Sequence, residues 1–194
     1  LHDCRQKAGE DLSRRICVQL AELGMPHAQF VVSFASLPGE PPEDMRPYSH
    51  NGLDRMEFLL STNVGLPPRP LSKVVSGGEA SRIMLAIKTI AAELDDIDCL
   101  IFDEVDTGIS GQIAYTVGEK MARIARQRQV LCVTHLAQLA CMADTHYLIE
   151  KQSNQEMTQT MLHTLDAEQR IDEIARLVGG TKQSAHGRAH AKAM

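Results

Sequence analysis

The strongest constraint on this chain lies between residues 99 and 135. Two short apolar runs, Cys99-Leu100-Ile101-Phe102 and Val130-Leu131-Cys132-Val133, enclose a stretch of helical periodicity. Apolar runs of this length bounded by polar residues suit parallel strands buried on both faces. Residues 112–125 between them set Val117, Met121 and Ile124 on one helical stripe. Strands alternating with helices predict an α/β fold, a parallel sheet core with flanking helices.

The flanks extend this pattern. Residues 5–23 carry Leu12, Ile16, Leu20 and Leu23 at spacings of four, four and three, one face of a helix. Gly24 and Pro26 stop it. This helix reads as the end of a coiled coil. Residues 30–34 are β-like, and residues 37–54, with four prolines and two glycines, form a loop. Met56, Phe58 and Leu60 alternate with polar neighbours, as in a half-buried strand. Pro67, Pro68 and Pro70 make a stiff connector. A helix follows over residues 77–94, with Ile83, Ile87, Ile90 and Leu94 on its core stripe. Beyond residue 135 come a short helix (136–142), a third strand (147–149), a hairpin partner (159–165) and a final helix (171–178) stopped by Gly179-Gly180. The expected organisation is a helix end at 1–24, a lobe at 25–180 and a tail at 181–194.

Composition limits the function. The 194 residues are 43% hydrophobic and 23% charged, with a net charge of −5. A chain built mainly to grip nucleic acid leans basic, so this segment is not expected to be a main DNA- or RNA-binding surface. No apolar run reaches the roughly 18 residues of a membrane span, and no secretory signal is visible. The five cysteines are scattered with no C-x-x-C pair, as in a protein of the reducing cytosol. Cys99 and Cys132, within the strands, are expected to be packed thiols. His186 and His190 lack further metal-ligand types nearby and belong to a solvated tail. The chain opens on Leu1 and enters helical sequence at once, as a piece of a longer chain would.

Four motifs carry chemistry. Ser76-Gly77-Gly78-Glu79 opens a helix. It reads as a capping box, or as a glycine-lined helix N-terminus that a ligand anion approaches closely. Asp103-Glu104 ends the first buried strand, where α/β sheets bind ligands. The pair reads either as acidic residues where a strand meets solvent or as a Walker B element, in which one carboxylate holds Mg²⁺ through water and the other polarises an attacking water. Asp106-Thr107-Gly108-Ile109-Ser110-Gly111 is the turn into the next helix. Val133-Thr134-His135 ends the second strand, and its histidine is a structural hydrogen-bonding residue or a phosphate contact.

In this order the four motifs resemble the C-terminal lobe of an ABC-type ATPase: signature, Walker B, D-loop and H-loop. Residues 71–88 (Leu-Ser-Lys-Val-Val-Ser-Gly-Gly-Glu-Ala-Ser-Arg and onward) and 101–111 (Ile-Phe-Asp-Glu-Val-Asp-Thr-Gly-Ile-Ser-Gly) are similar to the RecN family, bacterial SMC-like ATPases of DNA double-strand-break repair. Ser61-Thr62-Asn63-Val64-Gly65 and residues 170–180 fit as well. The Thr-Gly-Ile-Ser-Gly loop departs from the Leu-Asp ending usual in transporters and other SMC proteins. An ABC transporter subunit is the rival reading, and a non-catalytic interaction lobe is the other.

No G-x-x-x-x-G-K-[ST] occurs in the chain. The resemblance implies that this P-loop lies in an N-terminal half beyond a long coiled coil. It implies ATP and Mg²⁺ as cofactors, and this chain would be inactive alone. Asp103 would help hold Mg²⁺, Glu104 would act as general base and His135 would contact the γ-phosphate. Ser76, Gly77, Gly78 and Glu79 would bind nucleotide on a second head, with Asp106 at the interface. The implied partners are the chain's own N-terminal half, a second head joined by ATP, and DNA through the complete protein. The implied setting is the cytoplasm, on the nucleoid, with no membrane.

Overall fold

A computed structural model describes residues 1–36, 54–73, 77–91, 96–153, 158–179 and 185–194. It divides into two units, Leu1–Asp95 and Asp96–Met194, taken in turn.

In the first unit the expected helix forms α1 (His2–Glu22). Gly24 turns left-handed at φ 81, and the Met25 N–H donates back to the Leu20 carbonyl at 2.9 Å, which ends the helix. Ile16, Leu20 and Leu23 are fully buried. β1 (Gln29–Ser36) pairs antiparallel with β2 (Asp54–Ser61), from Gln29 opposite Ser61 to Ser36 opposite Asp54. The Pro-rich connector adds a short β3 (Arg69–Pro70) beside β2. A 3-10 turn, Leu71–Lys73, and helix α2 (Gly77–Ala91) complete the unit.

Helix α1 meets β1 through three residues spaced four apart. Gly9 lies where a side chain would strike Phe34 and Val32. Ser13 Oγ donates to the Gly9 carbonyl at 2.7 Å and accepts from the Val32 N–H at 3.0 Å. Cys17 Sγ accepts from the Phe30 N–H at 3.3 Å. Strand N–H groups that β2 leaves unpaired are thus satisfied by the helix. At the far end Asp54 accepts from Arg5 at 2.7 Å and lies 2.6 Å from His2 Nδ1.

The alternation in β2 holds only in part. Leu60 is fully buried, but Met56 and Phe58 are 55% and 41% exposed, because cover among the described residues reaches only the Leu60 end. In α2, Ile83 is buried with Leu85 and Ala86, while Ile87 and Ile90 are half-buried. The loop at 37–53, Ser76, and the helix end holding Leu94 lie outside the described residues.

The second unit contains the predicted strand, helix, strand succession. β4 (Cys99–Phe102) and β5 (Gln129–Cys132) pair in parallel, with Ile101 opposite Leu131. Helix α3 (Gly111–Ala125) joins them and buries Ala114, Val117, Met121 and Ile124. The ladder is prolonged at both ends, by the Gln129 N–H on the Asp98 carbonyl at 2.8 Å and the Val133 N–H on the Phe102 carbonyl at 2.9 Å.

Burial on both faces is corrected by the structure. Ile101 is 70% exposed and Val133 52%, and Cys99 is exposed rather than packed. Ile101, Leu131 and Val133 thus lie exposed on one sheet face.

Helix α4 (Ala137–Ala140) is shorter than predicted. β6 (Tyr147–Ser153) and β7 (Thr158–Thr164) form an antiparallel hairpin of their own. Helix α5 (Ala167–Leu177) opens with a full capping box between Asp166 and Gln169. The expected tail contains a further helix, α6 (Ala185–Ala193). Its Ala191 is buried with Ala137, Ile174 and Ala175, and Arg188 pairs with Asp172 and Glu168.

Candidate functional site

Four of the expected site residues converge where β4 and β5 end. Phe102 is buried, and the next two residues, Asp103 and Glu104, are exposed. Glu104 has φ 56 and is the only non-glycine residue at positive φ among the described residues. Left-handed backbone disfavours a side chain and is held only where the surroundings impose it. Here a tight turn follows, with the Thr107 N–H on the Glu104 carbonyl at 3.0 Å. Gly108 at φ 75 and Gly111 at φ 55 carry the left-handed positions that lead into α3.

That turn folds Val105 and Asp106 inward, to 0% and 3% exposure. A buried carboxylate needs partners. Asp106 Oδ2 accepts from Thr134 Oγ at 2.6 Å and from the His135 N–H at 2.9 Å, and lies 3.0 Å from His135 Nδ1. The Thr134 hydroxyl in turn accepts from the Leu136 N–H at 3.0 Å. The turn after β4 and the end of β5 are thereby tied together. The His135 ring thus lies beside Asp106 at one nitrogen, while its side chain is 72% exposed.

The local field is negative. The Cys132 thiol is pushed up to about 12, first by burial, then by the charges of Asp106 and Asp103. Such a field favours a bound cation. Among the described residues no group of three or more His, Cys, Asp or Glu forms a metal cage. Mg²⁺ needs none: it takes one or two carboxylates and completes its shell with phosphate and water. The exposed Asp103 carboxylate beside Glu104 fits that donor set.

The glycine motif stands in the first unit. Gly77 and Gly78 open α2, with Gly77 exposed, Gly78 buried and Glu79 half-buried. Ser76 lies outside the described residues, so the capping box at this helix is not described. One turn on, Arg82 is buried at 7%, and burial pulls its pKa down while Glu79 opposes the shift. An arginine next to Ile83 on a core stripe is the sequence sign of that residue.

Sequence reasoning gave Thr134 no role, and it gave Asp106 no intramolecular partner. The only signal was a hydroxyl placed directly before the histidine. No described helix is long and apolar enough to cross a membrane.

No protein-family model matches the chain. Among curated proteins it is 43% identical over 192 residues to the DNA repair protein RecN of Halalkalibacterium halodurans, covering 99% of this chain and 33% of that protein. It is 45% identical over 189 residues to the DNA repair protein RecN of Xylella fastidiosa, covering 97% of this chain and 32% of that protein. The chain therefore spans about a third of the length of the relatives it matches. Among solved structures, an Smc head domain with a coiled coil and joint from Pyrococcus yayanosii aligns with a TM-score of 0.53 at 17% identity. The match covers 86% of this chain and 29% of that one. The shared feature is the fold, that of an Smc head domain.

Proposed function

We propose that this chain, which belongs to the RecN family as its C-terminal part, supplies the hydrolytic half of an ATP-driven head acting in DNA double-strand-break repair and recombination. The observation that carries this reading is the end of β4. There Asp103 precedes a glutamate held at φ 56, and the following turn is tied through Asp106 to His135. Backbone strain of this kind is retained where a side chain must be presented in a set direction.

Asp103 offers a hard oxygen ligand for Mg²⁺, and the bound ion would neutralise charge on the phosphate oxygens. Glu104 acts as general base: it orients the attacking water and takes its proton. His135 presents its exposed ring to the γ-phosphate. Ser76, Gly77, Gly78 and Glu79 form the helix N-terminus that meets the nucleotide of a second head. Asp106, its carboxylate buried, influences that interface through His135 and the turn that follows it. Helix α1 is the end of a coiled-coil helix. The N-terminal half of the family's head, with its P-loop, completes the nucleotide site. The setting is the bacterial cytoplasm, and DNA is engaged by the complete protein.

The test is Glu104→Gln in the intact protein. Hydrolysis falls by about 10²–10⁴ while ATP is still bound, the usual scale for a general base. Normal turnover by that variant overturns the assignment. A second reading, that these residues act only as an interaction lobe, is favoured by the lack of a P-loop in the chain. Calorimetry separates the two at the level of the chain itself: tight Mg-ATP binding by these 194 residues alone contradicts the need for a second half.

A further inference from the structure

We infer that Arg170 and the C-terminal helix α6 are positioning elements for His135: they hold the one-turn helix α4, which follows that residue and sets where its ring stands. The inference rests on the reading of His135 as the phosphate-facing residue.

Helix α4 spans Ala137–Ala140, with Leu136 as its N-cap. A single turn does not hold itself in water, because helix nucleation is unfavourable. His135 is the residue before that N-cap. Its backbone is fixed on one side by Asp106 Oδ2, which accepts from the His135 N–H at 2.9 Å. On the other side it runs into α4, so its direction depends on what holds that turn.

Helices α5 and α6 supply the hold. Ala137 is 3% exposed and shares one apolar cluster with Ile174 and Ala175 of α5 and Ala191 of α6. The last carbonyls of a helix need donors from outside it. The Cys141 carbonyl, at the C-cap of α4, accepts from Arg170 Nη2 at 2.6 Å, a charge-assisted bond from α5. Helix α6 is in turn clamped to α5, since the Arg188 guanidinium donates to Asp172 through Nη1 and to Glu168 through Nη2. Residues 170–180, which fit the family pattern without entering the four motifs, thus give Arg170, Ile174 and Ala175 to the seat of α4. The end of the chain and the end of β5 become one mechanical unit.

Three variants of the intact protein test this: Arg170→Ala, Arg170→Lys and Ala191→Asp. The aspartate would bury a carboxylate among apolar residues and so unseat α6. If it does not fold, Arg188→Ala loosens the same helix and takes its place.

The first readout is the ¹H–¹³C ring signal of His135 without nucleotide, assigned by its loss in His135→Ala. Arg170→Ala and Ala191→Asp are expected to shift or broaden it. Arg170→Lys should leave it near its native place, because an ammonium can still donate to the Cys141 carbonyl. Hydrogen exchange at the Leu139, Ala140 and Cys141 amides should quicken about tenfold in the two disruptive variants, the scale of one lost charged hydrogen bond. Exchange along α1 should not change. An unmoved His135 signal overturns the inference, whatever the protein does with ATP.

The second readout is ATP turnover. Arg170→Ala and Ala191→Asp are expected to lower kcat roughly tenfold with little change in KM, the low end of the range for losing a group that orients a ligand-bearing side chain. Arg170→Lys should restore most of it. Neither disruptive substitution should lower kcat further in the His135→Ala background, because both act through that residue. Unchanged turnover, or equal losses in both backgrounds, overturns the inference. Absence of turnover in the native protein defeats the ATPase reading instead, and the ring signal still decides this one.

Discussion

A methyl group on Gly9 would stand 2.8 Å from Phe34 Cε2 and 3.2 Å from Val32 Cβ, so α1 and β1 touch at a point where only glycine fits. Glycine inside a helix is unfavourable by about 1 kcal/mol against alanine. Here that loss permits the close approach. Gly9→Ala is expected to lower stability by about 1 kcal/mol, because overpacking of roughly 1–3 kcal/mol outweighs the gain in helix propensity. Chemical denaturation measures it. A stabilised variant contradicts the contact.

Gly118 makes the opposite case. Its missing side chain faces Met142 Sδ, the middle of a flexible thioether arm. Methionine re-packs where a ring cannot. Gly118→Ala is expected to change stability by less than about 1 kcal/mol in either direction, since propensity and crowding nearly cancel. The two alanine variants should be compared in one denaturation series. An equal loss at both sites shows that side-chain flexibility does not set the difference.

Glu104 separates stability from activity. Its φ of 56 is a backbone state that disfavours a side chain by roughly 1–2 kcal/mol. Glu104→Gly should therefore keep stability or raise it by up to about 1 kcal/mol while removing the proposed base. Glu104→Gln should leave stability near its native value. A thermal scan and an ATPase assay on both variants check the pair. A loss above about 1 kcal/mol in the glycine variant shows that the left-handed turn is not a source of strain.

The cysteines offer a chemical map of the site. Cys132 is held as a thiol up to about 12, whereas Cys4 and Cys99 are exposed. Alkylation needs the thiolate. At pH 8 Cys4 and Cys99 should react first with iodoacetamide and Cys132 last, as read by peptide mass spectrometry. Because Asp106 contributes to that shift, Asp106→Asn should speed labelling at Cys132. Unchanged labelling removes Asp106 from the local field.

Asp54 gives a pH dependence. Hydrogen bonds from Arg5 and then His2 hold its carboxyl below the usual carboxylate value. A lowered folded-state pKa stabilises the fold above the unfolded value of about 4, and that stability is lost as pH falls through the folded value. The difference in stability between native protein and Asp54→Asn should therefore be full at neutral pH and shrink below about pH 4. A difference that does not vary with pH means that the pair carries no charge linkage.

Much of this molecule was legible because it is local. The stripe of Val117, Met121 and Ile124 is buried in α3 as its spacing demands. The apolar runs became the parallel pair β4 and β5. Other features depend on partners distant in sequence. Thr134 meets Asp106 across 28 positions, and Gly9 meets Phe34 across a turn and a strand. No periodicity encodes either contact. Ile101 and Val133 show a different limit. Their composition describes a strand covered on both faces, and composition does not say which residues supply the cover.

The contact between α1 and β1 has a mechanical consequence. Gly9, Ser13 and Cys17 act like a key in a shaft: one residue sets the depth, and two lock the angle. Turning the helix by a single residue step would strand the Val32 and Phe30 N–H groups, at about 1–3 kcal/mol each. Torque arriving along α1 would therefore not slip at this joint. Up to several kcal/mol, the helix and its strand turn as one part.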